Sequence, residues 1–402
     1  MSFATPHAQP LPKTIVLAGR RKVTLLRELG RGVAATAYRG ILESDSFVRR
    51  PVVVKLFDLS SNEEPDTAVL ALGRAAQRAA YVVHPNVVQT YEMATVGRNQ
   101  AAVVTELVEG TTLERLVRAR ARSGGEEGGR RTPLDLALFV ATEIAEALSG
   151  ARMATTPEGV PAGIPHLHIA LHQVLLSFQG EVKLSDFGLA EIALRGSRVR
   201  PMHRIAERWA TIAPEVAQGR PGDTRSDVFS LGIIFREMLL GPRFGPDMTD
   251  AEVVECTREG IVPPTFLELQ LSPDVSAIVR RSTERDPAKR YPHATAMAYE
   301  LRRVALSMGV GDGRMFLRSA IAEHMTSAAA PAAKPAFVVA NAIDPEYAEE
   351  RTDEHARGHV DELDLETELE LAERETPRLV ADRTSGLILK AGSSRKTRGG
   401  SD

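Results

Sequence analysis

Asp186 stands in Asp186-Phe187-Gly188, directly behind the apolar run VKLS. A carboxylate beside a glycine at the end of a buried strand can reach a metal-bound phosphate. Just upstream, GIPHLHIALHQ at 163–173 should carry the group that acts on a substrate. It offers His166, His168 and His172 beside Gln173, and no acidic residue. A free imidazole has a pKa of about 6.5 and accepts a proton at neutral pH. Histidines at i and i+2 of an extended loop share a side, so a transition-metal site is the alternative use. No fourth ligand is evident nearby, and histidines packed in the loop are the preferred reading. Lys55 is a lone cation among apolar neighbours in PVVVKLFDL (51–59), and Gly30 and Gly32 punctuate LGRG.

Patterning supplies a frame for these groups. VTLLRELGRGVAATAYRGIL (23–42) reads as strand, glycine turn, strand, and PVVVKLFDL as a third strand. Residues 66–83 are Ala-rich with apolar positions at Val69, Leu72, Ala76 and Ala80, which predicts a helix. Two more strands flank a turn near Gly97. From residue 111 the pattern turns helical. Thr132 is expected to cap a helix with Pro133 at its first position, its face marked by Leu134, Leu138, Ala141, Ala145 and Leu148. Ser226-Asp227 is expected to cap VFSLGIIFREMLL, an all-round apolar and therefore buried helix stopped by Gly241-Pro242. Further helices are expected near 273–283 and 293–308, with a short one to about residue 325.

The division that follows is a flexible lead-in (1–20), a small sheet with one helix (21–108), a helical part (109–325) and a disordered tail (326–402). Within the tail, 343–376 holds fourteen acidic and three basic residues. The stretch 121–132 is a flexible insert. The chain has 402 residues, a net charge of −3, 43% hydrophobic residues and one cysteine, Cys256. That balance gives no argument for nucleic-acid or membrane-surface binding, and a single cysteine excludes an internal disulfide. No run of apolar residues is long enough to span a bilayer, and the first residues lack the apolar core of a signal peptide. A cytoplasmic protein without membrane insertion is expected.

The order of the signals resembles the eukaryotic-like protein kinase family, particularly the bacterial Ser/Thr kinases. The resemblance spans roughly residues 21–310 and rests on LGRG with Tyr38, VVVKLF, HPNVVQ (84–89), ELVEG (106–110), VKLSDFGLA, APE (213–215), SDVFSLG (226–232) and DPAKRYP (286–292). It implies an α+β, bilobal protein-kinase-like fold with a β-rich first lobe and a larger helical second lobe. It also implies ATP and Mg²⁺ as ligands. Gly30, Gly32, Lys55, Glu106 and Val108 fall at nucleotide-binding positions, Asp186 at a metal-ligand position, Gln173 at the second metal-ligand position and His168 at the catalytic aspartate. Glu215 and Arg290 resemble the family's buried ion pair.

The departures gather where the chemistry would be. Ala35 replaces the third loop glycine. The helix glutamate that holds the lysine falls at Ala75, and no acidic residue occurs between Thr67 and Tyr91, so Lys55 is left to turn toward Asp186. Leu167, His168, Ala170 and Gln173 stand where bacterial relatives carry Arg, Asp, Lys or Ser, and Asn. No Asp lies between Asp135 and Asp186 and no Asn between Asn99 and Asn341, so a shifted alignment restores neither. Losing an acid–base group costs about 10²–10⁴ in rate. The expected function is a pseudokinase, a regulatory or scaffolding module with protein partners such as another kinase or signalling protein, its ATP and Mg²⁺ binding weak or lost. The alternative is an active atypical Ser/Thr kinase using His168, Gln173 and Asp186. The basic activation segment from Asp186 to Glu215, in which Glu207-Arg208 replaces the usual Gly-Thr, reads as a solvated loop.

Overall fold

The structure is a computed structural model that describes residues 14–32, 35–44, 48–59, 65–97, 99–122, 131–189 and 209–327. Its first part is an antiparallel sheet. Strands β1 (Thr14–Val16), β2 (Lys22–Arg31), β3 (Ala35–Glu43), β4 (Arg49–Asp58), β5 (Thr90–Val96) and β6 (Gln100–Glu106) lie in the order β1-β2-β3-β4-β6-β5. β4 is central and buried on both faces, which explains its nearly continuous apolar run. Val52, Val54 and Leu56 pack outward with Ile15, Val23, Tyr38 and Val104. On the opposite face Val53 packs on Leu29 and Ala37, and Phe57 meets Leu72 and Ala76 of helix α1 (Pro65–Ala80). Lys55, two residues from Val53, shares that face by the two-residue strand period.

β1 corrects the expectation of a loose lead-in at its end. Thr14, Ile15 and Val16 pair with Thr24, Val23 and Lys22, and Ile15 and Leu17 are buried. Helix α1 ends at Ala80, three residues before the expected 83.

The second part contains β7 (Gly110–Thr112), helix α2 (Leu113–Arg122), helix α3 (Leu134–Arg152), a single helical turn at Leu171–Gln173, and the strands β8 (Val174–Ser177) and β9 (Val182–Leu184). It continues with helices α4 (Pro214–Ala217), α5 (Thr224–Leu240), α6 (Asp250–Arg258), α7 (Pro273–Ser282), α8 (Ala294–Ser307) and α9 (Gly313–Ser327). β7-β8-β9 form a small antiparallel sheet. The fold is thus the α+β, two-lobed one expected. Helix α5 is buried along nearly its whole length, as its composition requires.

Two capping expectations are corrected. α3 starts behind Pro133 with no side-chain cap, and Thr132 is instead buried with its N–H donated to the Met238 carbonyl at 3.2 Å. α5 starts earlier than expected, capped by Asp223, whose carboxylate accepts from the Arg225 N–H at 2.7 Å and which forms a capping box with Ser226. Asp227 lies inside the helix, where it holds the loop at 166–167. Helix α6, capped by Thr249 in a capping box with Glu252, was not expected from the sequence.

The segment 84–89 joins the lobes. The Val88 N–H donates to the Leu184 carbonyl at 3.0 Å and the Leu184 N–H to the Asn86 carbonyl at 2.8 Å. The Asn86 side chain donates to Glu143 (2.7 Å) and to the Val182 carbonyl (2.9 Å). Lys183 on β9 pairs with Glu106 at the end of β6 at 2.8 Å. In the helical lobe Arg290 and Glu215 form the expected buried bidentate pair, at 2.8 and 2.9 Å. No helix among the described residues is long and apolar enough to cross a membrane. The tail (326–402) lies almost wholly outside the described residues, as do most of the insert at 121–132 and of the basic segment at 186–215.

Candidate functional site

Strand register brings the first group together. On β3, Ala37 sits opposite both Gly30 of β2 and Lys55 of β4. The Gly32 N–H donates to the Ala35 carbonyl at 2.8 Å and closes the glycine turn. Gly30, Gly32 and Lys55 therefore border one cleft face. Glu106 and Val108 lie on the connection out of β6; Val108 is buried against Val88 and Leu175.

The Lys55 ammonium pairs directly with the Asp186 carboxylate across the cleft, and both side chains are largely buried. The other Asp186 oxygen accepts from the Ser185 hydroxyl at 3.3 Å. Burial by itself pushes the Asp186 carboxyl up. The Lys55 charge and hydrogen bond outweigh it and hold the acid below its ordinary range. Asp186 is therefore an anion held by a lysine.

Helix α1 explains why the lysine turned. At Ala75 the helix has no group to offer Lys55, and its backbone presses on the loop. A Cβ built on Gly188 (φ +74°) would lie 3.1 Å from the Ala75 carbonyl oxygen. Lys55, Ala76, Ala79, Thr105, Ser185, Asp186 and Phe187 line a cavity here of only about 10 Å³. That is room for about one water.

The loop 166–173 is held from below. The Asp227 carboxylate accepts from the His166 N–H at 2.8 Å and from the Leu167 N–H at 2.6 Å. Burial pushes the Asp227 carboxyl up to about 7, opposed by these two hydrogen bonds. Leu167 adopts φ +64°, a conformation uncommon for a branched side chain, and packs beside Gly222 rather than into the cleft. His166 is buried, its Nε2 lies 2.7 Å from the Ser185 carbonyl, and its ring edge meets Phe187 at 4.8 Å between centroids. A carbonyl can only accept, so Nε2 carries the proton. Burial lowers the pKa of this ring and keeps it neutral.

His168, at the position of the acting group, is 3% exposed. The Gln173 amide oxygen accepts from the Ala170 N–H at 2.9 Å, so the atom that would ligate a metal serves its own turn. The transition-metal alternative finds no support: among the described residues no cluster of three His, Cys, Asp or Glu could hold a metal.

At the base end Val53 is 0%, Leu175 1% and Val108 3% exposed. At the phosphate end the lysine and the aspartate neutralise each other beside the small cavity against α1. Lys55 and Asp186 have the right chemistry for the phosphates and magnesium of ATP, and in this structure the two side chains are paired with each other.

The sequence expectation missed two features. Asp227 as the loop's anchor was hidden because Ser226-Asp227 before an apolar run looks like a cap; the better capping-box match, Asp223 with Ser226 three residues on, was the available signal. Val53 as a cleft wall was visible only as a departure from V-A-I-K.

Comparison with known proteins agrees with the geometry. The model of the protein tyrosine and serine/threonine kinase family matches residues 23–301. A probable serine/threonine-protein kinase of Clostridium acetobutylicum is 28% identical over 75% of this chain and 42% of its own. The tyrosine-protein kinase MasK of Myxococcus xanthus is 28% identical over 75% of this chain and 45% of its own. The serine/threonine-protein kinase PknB of Mycolicibacterium smegmatis is 30% identical over 65% of this chain and 40% of its own. The chain thus spans less than half the length of these curated relatives. With a sheet lobe, a helical lobe and the cleft motifs in order, the chain belongs to the protein tyrosine and serine/threonine kinase family.

Proposed function

We propose that the kinase domain of this chain is a pseudokinase: a regulatory or scaffolding module that acts through protein contacts and transfers phosphate at a negligible rate. The observation that carries the reading is the loop 166–173. Its acting position holds a buried histidine, and its amide oxygen is spent on Ala170. Kinase catalysis is positioning and charge neutralisation around a transferring phosphoryl group. An imidazole cannot reproduce the negative charge of a carboxylate near metal ions, and Lys55 and Asp186 are paired with each other. The anchors that hold the fold, Asp227 under the loop and Glu215 on Arg290, are kept, which favours a preserved scaffold. The partner would be a protein, a kinase or signalling protein in keeping with the family, in a cytoplasmic setting.

One observation favours the second reading, an active atypical Ser/Thr kinase: Lys55 and Asp186 are both present and adjacent. The test is phosphate transfer from labelled ATP with Mg²⁺, to the chain itself and to a generic basic protein. Incorporation indistinguishable from that of Asp186→Ala supports the pseudokinase. Transfer that is abolished by Asp186→Ala establishes the active kinase instead.

A further inference from the structure

We propose that the turn between α6 and α7 is a docking surface for a protein partner, and that the partner brings to it a segment in which large apolar side chains stand among lysines or arginines. The inference deepens the reading above and rests on it for the premise that this domain works through protein contacts.

Residues Phe266–Gln270 form a short 3₁₀ helix capped by Thr265, whose hydroxyl accepts from the Leu267 N–H at 3.4 Å. In such a helix positions i and i+3 eclipse, so Phe266 and Leu269 stand side by side. They are 75% and 89% exposed. Their neighbours point the other way. Leu267 and Leu271 pack against the core of the helical lobe, and Val262 packs on Ala213, Phe229 and Ile233. Two buried arginines hold the backbone from beneath. Arg243 donates to the Ile261 carbonyl at 2.7 and 3.0 Å, and Arg236 donates to the Pro263 carbonyl at 2.7 Å. A lone exposed apolar residue is ordinary on a protein surface. An aromatic ring beside a leucine, on a turn fixed from below, instead offers a partner apolar contact at little ordering cost, as interface anchors do.

Charge selects the partner. From residue 245 to residue 275 the chain carries seven acidic residues and one basic residue, Arg258. Residues from elsewhere answer three of the acids: Arg285 pairs with Glu259 at 2.7 Å, Arg303 with Asp274 at 3.1 Å and Arg236 with Glu268 at 3.4 Å. The other four, Asp247, Asp250, Glu252 and Glu255, are exposed on helix α6 and just ahead of it. The connection 259–265 that the two arginines pin leads from these acids to the turn. In a two-fold contact a second copy of this chain would set the same acids against themselves, and like charges repel. A basic apolar segment meets both features at once: its apolar groups cover Phe266 and Leu269, and its cations face the acids of α6.

The test uses a random peptide library displayed on phage. The library is first depleted on the Phe266→Ala, Leu269→Ala double variant, with folding checked by circular dichroism, and the remainder is selected on the full wild-type chain. Depletion removes peptides that bind elsewhere. The peptides recovered should combine large apolar residues with Lys or Arg. Once synthesised, they should bind wild type at least about tenfold more tightly than the double variant, and more weakly as salt rises. Should the double variant not fold, Leu269→Ala, at the more exposed position, serves for the depletion and carries the same expectation. Recovery of no wild-type-specific peptide, or of uncharged or acidic ones, overturns the proposal. So does sedimentation showing that wild type self-associates and that the double variant does not. These failures leave the pseudokinase reading as it stands, whereas Asp186-dependent phosphate transfer sinks that reading and not the surface.

Discussion

Lys55 and Asp186 carry the main consequence at the scale of single residues. In the family, a lysine held by a helix glutamate and an aspartate held on magnesium are separate parts. Here Ala75 removes the first partner, and the two remaining charges meet. Because both are mostly shielded from solvent, with 14% and 21% of their side-chain surfaces exposed, the pair should be coupled in stability. A double-mutant cycle of Lys55→Ala and Asp186→Ala, read by chemical denaturation at pH 7, should show a coupling of about 1–3 kcal/mol. Each single variant strands a charge, so the double variant should cost less than the sum. Additive costs would mean that the pair contributes nothing to stability. The meeting of these residues was legible from the empty stretch between Thr67 and Tyr91, since no other acid on helix α1 past Asp66 could take the lysine. The inward turn of Gln173 was not legible. An amide immediately ahead of a hairpin carries no mark of whether it faces a metal or its own backbone.

Elements come next, and two contacts set the shape of the cleft. The first is α1 against Gly188. Gly188→Ala meets both a positive φ and the Ala75 carbonyl at 3.1 Å, whereas Gly219→Ala meets the same φ of +74° with open space around it. The φ term alone costs about 1–2 kcal/mol. Gly188→Ala should therefore lose more stability than Gly219→Ala by denaturant midpoint, and equal losses would show that α1 does not press on the loop. The second contact is α5 beneath the loop 166–173, made through Asp227. Its carboxyl is raised to about 7 in the fold from about 3.9 in the unfolded chain. The folded state therefore binds this proton more tightly, and the stability that Asp227 lends is greatest at low pH. It falls between about pH 4 and pH 7 as the buried group ionises. Asp227→Asn cannot ionise. The stability advantage of wild type over Asp227→Asn should narrow between pH 5 and pH 8, and a gap that widens or stays level would contradict the burial argument. Helix α5 itself was plain from its apolar run, but its start was not. Asp223 and Ser226 form the capping box, and the Ser226-Asp227 pair imitated one three residues too late.

For the whole molecule, the lobed architecture was readable because its landmarks come in order and at compatible spacing, each demanding a particular local structure. Strand β1 escaped because three residues behind a Pro-rich stretch are too short for a period to register, and only pairing with β2 makes them a strand. The state of the cleft escaped for a different reason. Motif residues report which groups are available, while openness depends on how roof, floor and α1 pack across long sequence distances. The resulting account is of a kinase frame whose anchors remain, whose acting groups are replaced, and whose Lys55 and Asp186 are paired with each other. The most direct test is the initial rate of phosphate transfer from labelled ATP with Mg²⁺ in wild type against a chain carrying Ala75→Glu, His168→Asp and Gln173→Asn together. The account predicts no Asp186-dependent transfer in wild type and a measurable rate in the restored chain. Wild-type transfer at or above the restored chain's rate, abolished by Asp186→Ala, would contradict it.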